Sequence, residues 1–258
     1  MKFDCHLHTF PFSQDARQSI EELSTTLAEK KIAGILTEHM DFDFPLDPKI
    51  VLFDPAAYFE KYQPFRSDTL LLGAEIGLSD SCLEKNKDLI QSFPWDFILV
   101  SVHVVDGQDL CNRAFYDANN QEDVYRRYLQ KLVRETAALD SYDSVAHIDY
   151  ICRYNAYPDP NLHYQDFPDL FDSFFQNLIE RDKAFELNTR RLAIPGAKES
   201  LFVLLQRFRE LGGKYITIGS DAHLTRSVGN HLDLAYDMVH QAYLTPVYFN
   251  HRQLHYVK

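Results

Sequence analysis

Short apolar segments alternate with longer amphipathic segments along most of the chain. The apolar segments predict strands at residues 2–9, 34–37, 69–73, 96–102, 144–146, 184–187 and 215–219. Helical spacing of apolar residues predicts a helix that begins at Ser19 and three helices over 55–65, 121–139 and 167–181. It also predicts a helix that ends at Gly212 and a last helix that begins at 232 and precedes an extended segment, 246–257. Strands that alternate with helices form right-handed βαβ units and a parallel sheet. With this many strands, the predicted fold is α/β and a barrel is favoured over an open sheet.

The first strand has a pattern that also suggests chemistry. Strict alternation places Asp4, His6 and His8 on one face. Two histidines at i and i+2 on one face of a strand can bind a metal ion, although such pairs are common without one. The opposite face is predicted to pack in the core through Phe3, Cys5 and Leu7.

Histidines and carboxylates recur where the later strands end. In parallel barrels the functional residues collect at the carboxyl ends of the strands. The candidates at these ends are His6, His8, His39, Glu75, His103, His147, Arg190, Asp221 and His223. Neutral imidazoles with a few carboxylates suit zinc, iron or manganese better than calcium. The sequence therefore predicts a transition-metal site at one end of the barrel, with Glu38 and Asp149 as supporting or surface groups.

Composition and charge narrow the classes of function. The length of 258 residues fits one domain over residues 1–258. The formal net charge of −12 argues against binding nucleic acid or an anionic membrane. No apolar run approaches the ~20 residues that span a bilayer. Four scattered cysteines suggest neither a zinc finger nor a disulfide framework. We expect a cytoplasmic protein that acts on a small molecule.

Several short motifs, taken in order, resemble those of the polymerase and histidinol phosphatase (PHP) superfamily. They are His6-Leu7-His8, Thr37-Glu38-His39, Glu75, Ser101-Val102-His103, Ala146-His147 and Ser220-Asp221-Ala222-His223. The match covers about residues 1 to 230, and its length and spacing are most similar to the histidinol-phosphatase branch. The resemblance implies a distorted (β/α)7 TIM-like barrel with a trinuclear metal site.

The same resemblance implies a role for each matched residue. The implied ligand sets are His6, His8, Glu75 and Asp221 for the first metal, Glu75, His103 and His147 for the second, and Asp15, His39 and His223 for the third. Two to three divalent ions (zinc, iron or manganese) are thus expected, with Glu75 bridging. Arg153 and Arg190 are expected to clamp a phosphate in bidentate fashion. Asp15 and His223 are candidates for the proton donor, as is a metal-bound water.

The expected activity is hydrolysis of a phosphomonoester. A hydroxide bridging the metals would attack phosphorus in line, and the implied substrate is L-histidinol phosphate, in histidine biosynthesis. A PHP phosphatase for a phosphotyrosine protein or a sugar phosphate is one alternative. Two others remain open: an amidohydrolase-like metallohydrolase, which also opens with His-x-His, and a non-catalytic metal-binding module.

Overall fold

The computed structural model describes residues 1–257. Its main sheet has nine strands in the order β1-β2-β3-β4-β7-β8-β9-β10-β11, and β5 pairs only with β6. The strands are β1 (Phe3–Leu7), β2 (Ala33–Met40), β3 (Leu70–Gly77), β4 (Phe97–Ser101), β5 (Val104–Val105), β6 (Gln108–Asp109), β7 (Ser144–Val145), β8 (Ala184–Asn188), β9 (Tyr215–Gly219), β10 (Thr245–Asn250) and β11 (Gln253–Tyr256). The predicted single domain ends in Lys258, which lies outside the described residues.

Eight α-helices connect the strands within residues 1–257. They are α1 (Ile20–Lys30), α2 (Pro55–Tyr62), α3 (Leu83–Ser92), α4 (Arg113–Asp117), α5 (Gln121–Ala138), α6 (Pro168–Glu180), α7 (Ala197–Glu210) and α8 (Leu232–Gln241). The α1 start is fixed by a capping box, in which the Ser19 side chain accepts from the Glu22 backbone and the Glu22 carboxylate accepts from Ser19. The predicted helix over 55–65 ends earlier, at Tyr62, and a 3-10 turn follows it. None of the helices in this range has the length and apolar character needed to cross a membrane.

The first seven strands of the main sheet form a parallel series. Neighbours from β1 to β9 all pair in parallel, β10 adds to β9 in parallel, and β11 pairs with β10 antiparallel. The outer members of the series also meet, because the His8 N–H donates to the Ala222 carbonyl at 3.1 Å. The predicted α/β fold with a mainly parallel sheet is confirmed, and the carboxyl ends of β1 and β9 lie side by side.

Apolar side chains pack in two layers. The smaller cluster is built from strand residues and from the β10–β11 hairpin, where Phe3 stacks on Tyr248 with ring centroids 3.8 Å apart. The larger cluster packs helices against the sheet. Cys5 is in the smaller cluster, as the predicted core position requires, but Leu7 is in the larger one. The prediction that Phe3, Cys5 and Leu7 share one face is therefore wrong, because the register of β1 shifts between Asp4 and Leu7.

Two strands are longer than predicted. The apolar pattern predicts that β2 and β3 end before His39 and Glu75. In the structure both residues lie inside these strands and are paired with each other across the sheet. Every residue of both strands is buried. Polar residues that face a buried site look like loop residues in the sequence, which is why the pattern shortened the strands.

Candidate metal centre

Glu75 is the centre of the site. It is fully buried on β3, and its carboxylate oxygens lie 2.8 Å from His147 Nε2, 2.9 Å from His39 Nδ1, and 3.3 Å from both His6 Nε2 and His103 Nε2. Burial opposes ionisation of Glu75, but the charges of His6 and His103 and hydrogen bonds from His103 and His147 outweigh it, so its pKa is held well below the usual range. One carboxylate thus serves imidazoles from four strands or strand ends.

Asp221 is a second buried carboxylate, and it approaches the same nitrogens of His6 and His8 as Glu75 does. Its Oδ1 lies 3.4 Å from His8 Nε2 and 3.7 Å from His6 Nε2, while its Oδ2 accepts from Arg153 at 2.5 Å and lies 3.4 Å from Arg190. Burial raises its pKa, yet the Arg153 and His6 charges prevail and hold it well below the usual range. Asp221 also has φ of 54°, an uncommon conformation outside glycine that is enriched at functional sites.

Asp15 lies at the mouth of the site. Its Oδ2 is 2.9 Å from His223 Nε2 and 3.6 Å from His39 Nε2, and its side chain is 48% exposed. Nε2 of His39 is 3.4 Å from Nε2 of His223. The three residues expected to hold a third metal therefore lie together, more open to solvent than the rest of the site.

Two further carboxylates, which sequence reasoning missed, contact the outer nitrogens of these histidines. Glu186 Oε1 lies 2.8 Å from His6 Nδ1, and both Asp41 oxygens lie 3.2 Å from His103 Nδ1. Burial raises the pKa of Glu186, but the His6 charge and hydrogen bond lower it more. The available signal was an acid inside an otherwise apolar strand for Glu186, and an acid two residues after His39 for Asp41.

His8 is supported less directly, through a hydroxyl. Its Nδ1 lies 3.2 Å from Ser13 Oγ, and Ser13 donates onward to Glu38 at 2.5 Å. Glu38 is fully buried and also accepts from Thr9, and burial raises its pKa to about 7 against these hydrogen bonds. Glu38 is thus a supporting group, one of the two options that the sequence left open.

The residues fit a group of transition-metal ions. Buried atoms without a hydrogen-bond partner lie in the site, among them Nε2 of His6, Nε2 of His8 and Nδ1 of His147. Such atoms are costly to bury unless something binds them, and imidazole with carboxylate is a donor set suited to zinc, iron or manganese. The buried cluster of histidine, aspartate and glutamate can therefore hold metal ions.

Close groups of possible ligand atoms overlap with the predicted ligand sets. The groups whose atoms all lie within 4.8 Å of one another are His6–His8–Glu75, Glu75–His103–His147, His8–His39–His223, His6–His147–Asp221 and His39–Asp41–His103. The second equals the predicted second set. The first has the predicted first set without Asp221, and the third has His39 and His223 but not Asp15. The roles of individual ligands and the number of ions stay predictions.

A cavity of about 250 Å³ opens onto the cluster. Arg153 and Arg190 both line it, and the Arg153 side chain is buried, with its Nε and Nη2 donors unpartnered. Arg190 is 44% exposed at the rim. Tyr150 and Cys111 also line the cavity and were not predicted; the Arg153 guanidinium lies 4.8 Å from the Tyr150 ring centre. All predicted site residues thus face one cavity or the cluster beneath it.

Comparison with known proteins places this site in a family. Residues 4–190 match the PHP domain model. The chain is 36% identical to a probable histidinol-phosphatase of Clostridium acetobutylicum over 99% of this chain and all of that protein. It is 30% identical to the histidinol-phosphatase of Lactococcus lactis over 87% of this chain and 85% of that one.

Solved structures agree with these sequence matches. The fold matches a crystal structure of histidinol phosphate phosphatase from Lactococcus lactis, complexed with zinc, L-histidinol and phosphate, with a TM-score of 0.92, 25% identity and 98% of both chains covered. An archaeal ribonuclease P structure, at TM-score 0.52 and 13% identity over 94% of this chain and 88% of that one, shares the fold alone. The resemblance found in the motifs is confirmed: the chain belongs to the PHP domain family, alongside the histidinol-phosphatases.

Proposed function

We propose that this protein is a metal-dependent phosphatase that hydrolyses L-histidinol phosphate to L-histidinol and phosphate. The observation that carries the proposal is the juxtaposition of a buried imidazole–carboxylate cluster with two arginines in one cavity. The relatives named histidinol-phosphatase support the choice of substrate, since one of them is similar over the full length of both chains. The family match favours this reading over an amidohydrolase-like enzyme.

Arg153 and Arg190 are proposed to bind the phosphate group. The unpartnered Nε and Nη2 atoms of Arg153 are buried donors, and donors of this kind are stabilised by an anionic acceptor. Arg190 lies at the rim, where its guanidinium is 44% exposed and 3.4 Å from Asp221 Oδ2, so it can contact a phosphate that enters the cavity. Two planar guanidinium groups on one side of the cluster can orient the phosphorus atom toward it.

The proposed metal ligands are His6, His8, Asp15, His39, Glu75, His103, His147, Asp221 and His223. Two or three divalent ions such as zinc, iron or manganese, when bound, would activate water as the nucleophile and neutralise charge on the phosphoryl oxygens. Ionised Glu75 and Asp221 supply the negative charge that holds such ions. Burial of the cluster excludes bulk water other than through the cavity.

Asp15 and His223 are proposed to supply the proton that the leaving alkoxide needs. The 2.9 Å contact between Asp15 Oδ2 and His223 Nε2 can hold a proton, and the 48% exposed Asp15 lies at the mouth of the cavity through which a substrate enters. The role as acid and the role as ligands of a third ion compete for the same atoms. Metal content therefore discriminates: two ions leave the pair free to carry a proton, whereas three require another acid.

The substrate is tested by a panel of phosphomonoesters assayed with the metal-reconstituted protein. We expect kcat/KM for histidinol phosphate to exceed that for sugar phosphates and phosphotyrosine peptides by orders of magnitude. A preference for another ester, with metals bound, would keep the phosphatase and replace its substrate.

The four cysteines are free thiols, which supports a cytosolic setting for the reaction.

A further inference from the structure

Asp41 has contacts that set it apart from the surface carboxylates. Its side chain is only 5% exposed, and both oxygens lie 3.2 Å from His103 Nδ1. The opposite nitrogen of the same ring, Nε2, lies 3.3 Å from Glu75 Oε1. The His103 ring is therefore held between a carboxylate outside the cluster and the carboxylate at its centre.

The contact crosses an intervening strand at a glycine. Asp41 follows β2, Gly77 ends β3, and His103 comes two residues after the end of β4, where Ser101 pairs with Gly77. A Cβ atom at position 77 would overlap the Asp41 side chain, whose Oδ1, Cγ and Cβ would be its nearest neighbours. Any side chain at position 77 would occupy the space that the Asp41 carboxylate needs. Gly77 has ordinary strand geometry, so its small size, and not a special backbone conformation, is what the site uses.

We propose that Asp41 is a positioning residue for the metal centre, and that Gly77 is required for it to reach His103. An ionised carboxylate can only accept, so it fixes the proton of His103 on Nδ1 and leaves the Nε2 lone pair directed at the cluster. It also fixes the rotation of the ring. The inference rests on the proposed function, because it takes His103 to be a metal ligand through Nε2.

Geometry favours this role over direct ligation by Asp41. Asp41 does lie near His39 and His103 in a group of possible ligand atoms. However, both of its oxygens contact the nitrogen of His103 that faces away from Glu75. An oxygen that accepts from Nδ1 at 3.2 Å is on the outer side of the ring.

The first test measures zinc affinity by competition with a chelator, in the wild type and in Asp41→Ala, Asp41→Asn and Asp43→Ala. Partners of this kind typically change metal affinity by about 10–100-fold, so Asp41→Ala should weaken binding by that factor without lowering the number of ions at saturation. Asp41→Asn keeps an acceptor oxygen and should lose less. Asp43 is the matched control, because it is exposed and bonds Ser79 and Ser81 instead of a histidine, and its removal should change nothing. Circular dichroism checks that each variant is folded.

A second readout reports the proton itself. Ring-nitrogen NMR of the zinc-free protein at a pH where His103 is neutral should show it protonated on Nδ1 in the wild type and in a mixture of tautomers in Asp41→Ala. A merely structural Asp41 would leave the tautomer unchanged.

The role of Gly77 is tested by a double-mutant cycle. Gly77→Ala should displace the Asp41 carboxylate and weaken zinc binding about as much as Asp41→Ala, while the double variant should be no worse than either single one. Additive losses, or unchanged affinity in Asp41→Ala, would overturn the inference while leaving the metal centre intact. Loss of one whole ion at saturation would make Asp41 a ligand and overturn it too. If the wild type binds no metal, the proposed function itself fails.

Discussion

Replacing Arg190 with alanine separates phosphate binding from the integrity of the metal centre. Arg190 is 44% exposed and touches the cluster only through Asp221 Oδ2 at 3.4 Å, whereas Arg153 is buried and bonded to the same oxygen at 2.5 Å. Removing Arg190 therefore leaves Asp221 with its principal partner. We expect unchanged metal content and a stability change within about 0.5 kcal/mol, which is usual for an exposed residue.

The expected loss in catalysis is much larger than the loss in stability. A charge-assisted hydrogen bond to phosphate contributes about 1.5–3 kcal/mol, so kcat/KM should fall roughly 10- to 150-fold at about 1.4 kcal/mol per decade. Arg190→Lys should recover only part of this, because a point charge does not reproduce the planar fork. Arg209→Ala, at an exposed arginine near the end of α7, is the matched control and should leave kcat/KM unchanged.

The assay compares steady-state hydrolysis of histidinol phosphate and of a second phosphomonoester, with metal content measured on the same samples. Both substrates should lose the same factor, because the contact is with the group they share. A loss confined to histidinol phosphate would place Arg190 at the other end of the substrate. Full activity with metals intact would refute the clamp.

Three other perturbations have signs that follow from the structure. Glu75→Ala should be the most damaging single change to metal content by elemental analysis, because this carboxylate lies within 3.3 Å of four imidazoles; retention of all ions would contradict it. In the metal-free protein, the pKa of Glu38 is raised from 4.5 to about 7. The protonated Glu38 side chain therefore contributes its full stabilisation below about pH 4.5, and this stabilisation is lost as the pH rises through 7. Urea denaturation at several pH values should show this loss, up to about 3 kcal/mol, and show less of it in Glu38→Gln. Arg252→Ala should lower the free energy of unfolding by about 2 kcal/mol without altering metal content, since Arg252 binds Asp143 at the amino end of β7, whereas the cluster lies at the carboxyl ends of the strands.

The sequence predicts the location of the site better than its internal contacts. Parallel strands bring their carboxyl ends together, so residues that follow strands, such as His103 and His147, could be assigned to one place without knowing any distance. Local apolar patterns show where most strands end, so the residues that follow those strands could be predicted. The same reasoning underestimated β2 and β3, since His39 and Glu75 are polar residues inside buried strands.

The supporting carboxylates depend on information that no local pattern contains. Glu186 contacts His6 across 180 residues, and Asp41 contacts His103 across 62. Each contact depends on the register of neighbouring strands, and the Asp41 contact needs a glycine on a third strand as well. The irregular register of β1 belongs to the same class, because alternation alone assigned Leu7 to the wrong layer.

The charges of the site explain how a protein with a net charge of −12 can act on a phosphate ester. Without metal, the two buried carboxylates of the cluster are ionised, because imidazole or guanidinium neighbours hold the pKa values of Glu75 and Asp221 low, and Arg153 is engaged with Asp221. An anion entering this cavity would face two ionised carboxylates. Divalent ions bound to those carboxylates would neutralise them and relieve Arg153 of its partner's charge, so metal binding and phosphate binding should be coupled. The positive charge that a phosphate ester needs would then lie inside a cavity of about 250 Å³ and not on the acidic surface.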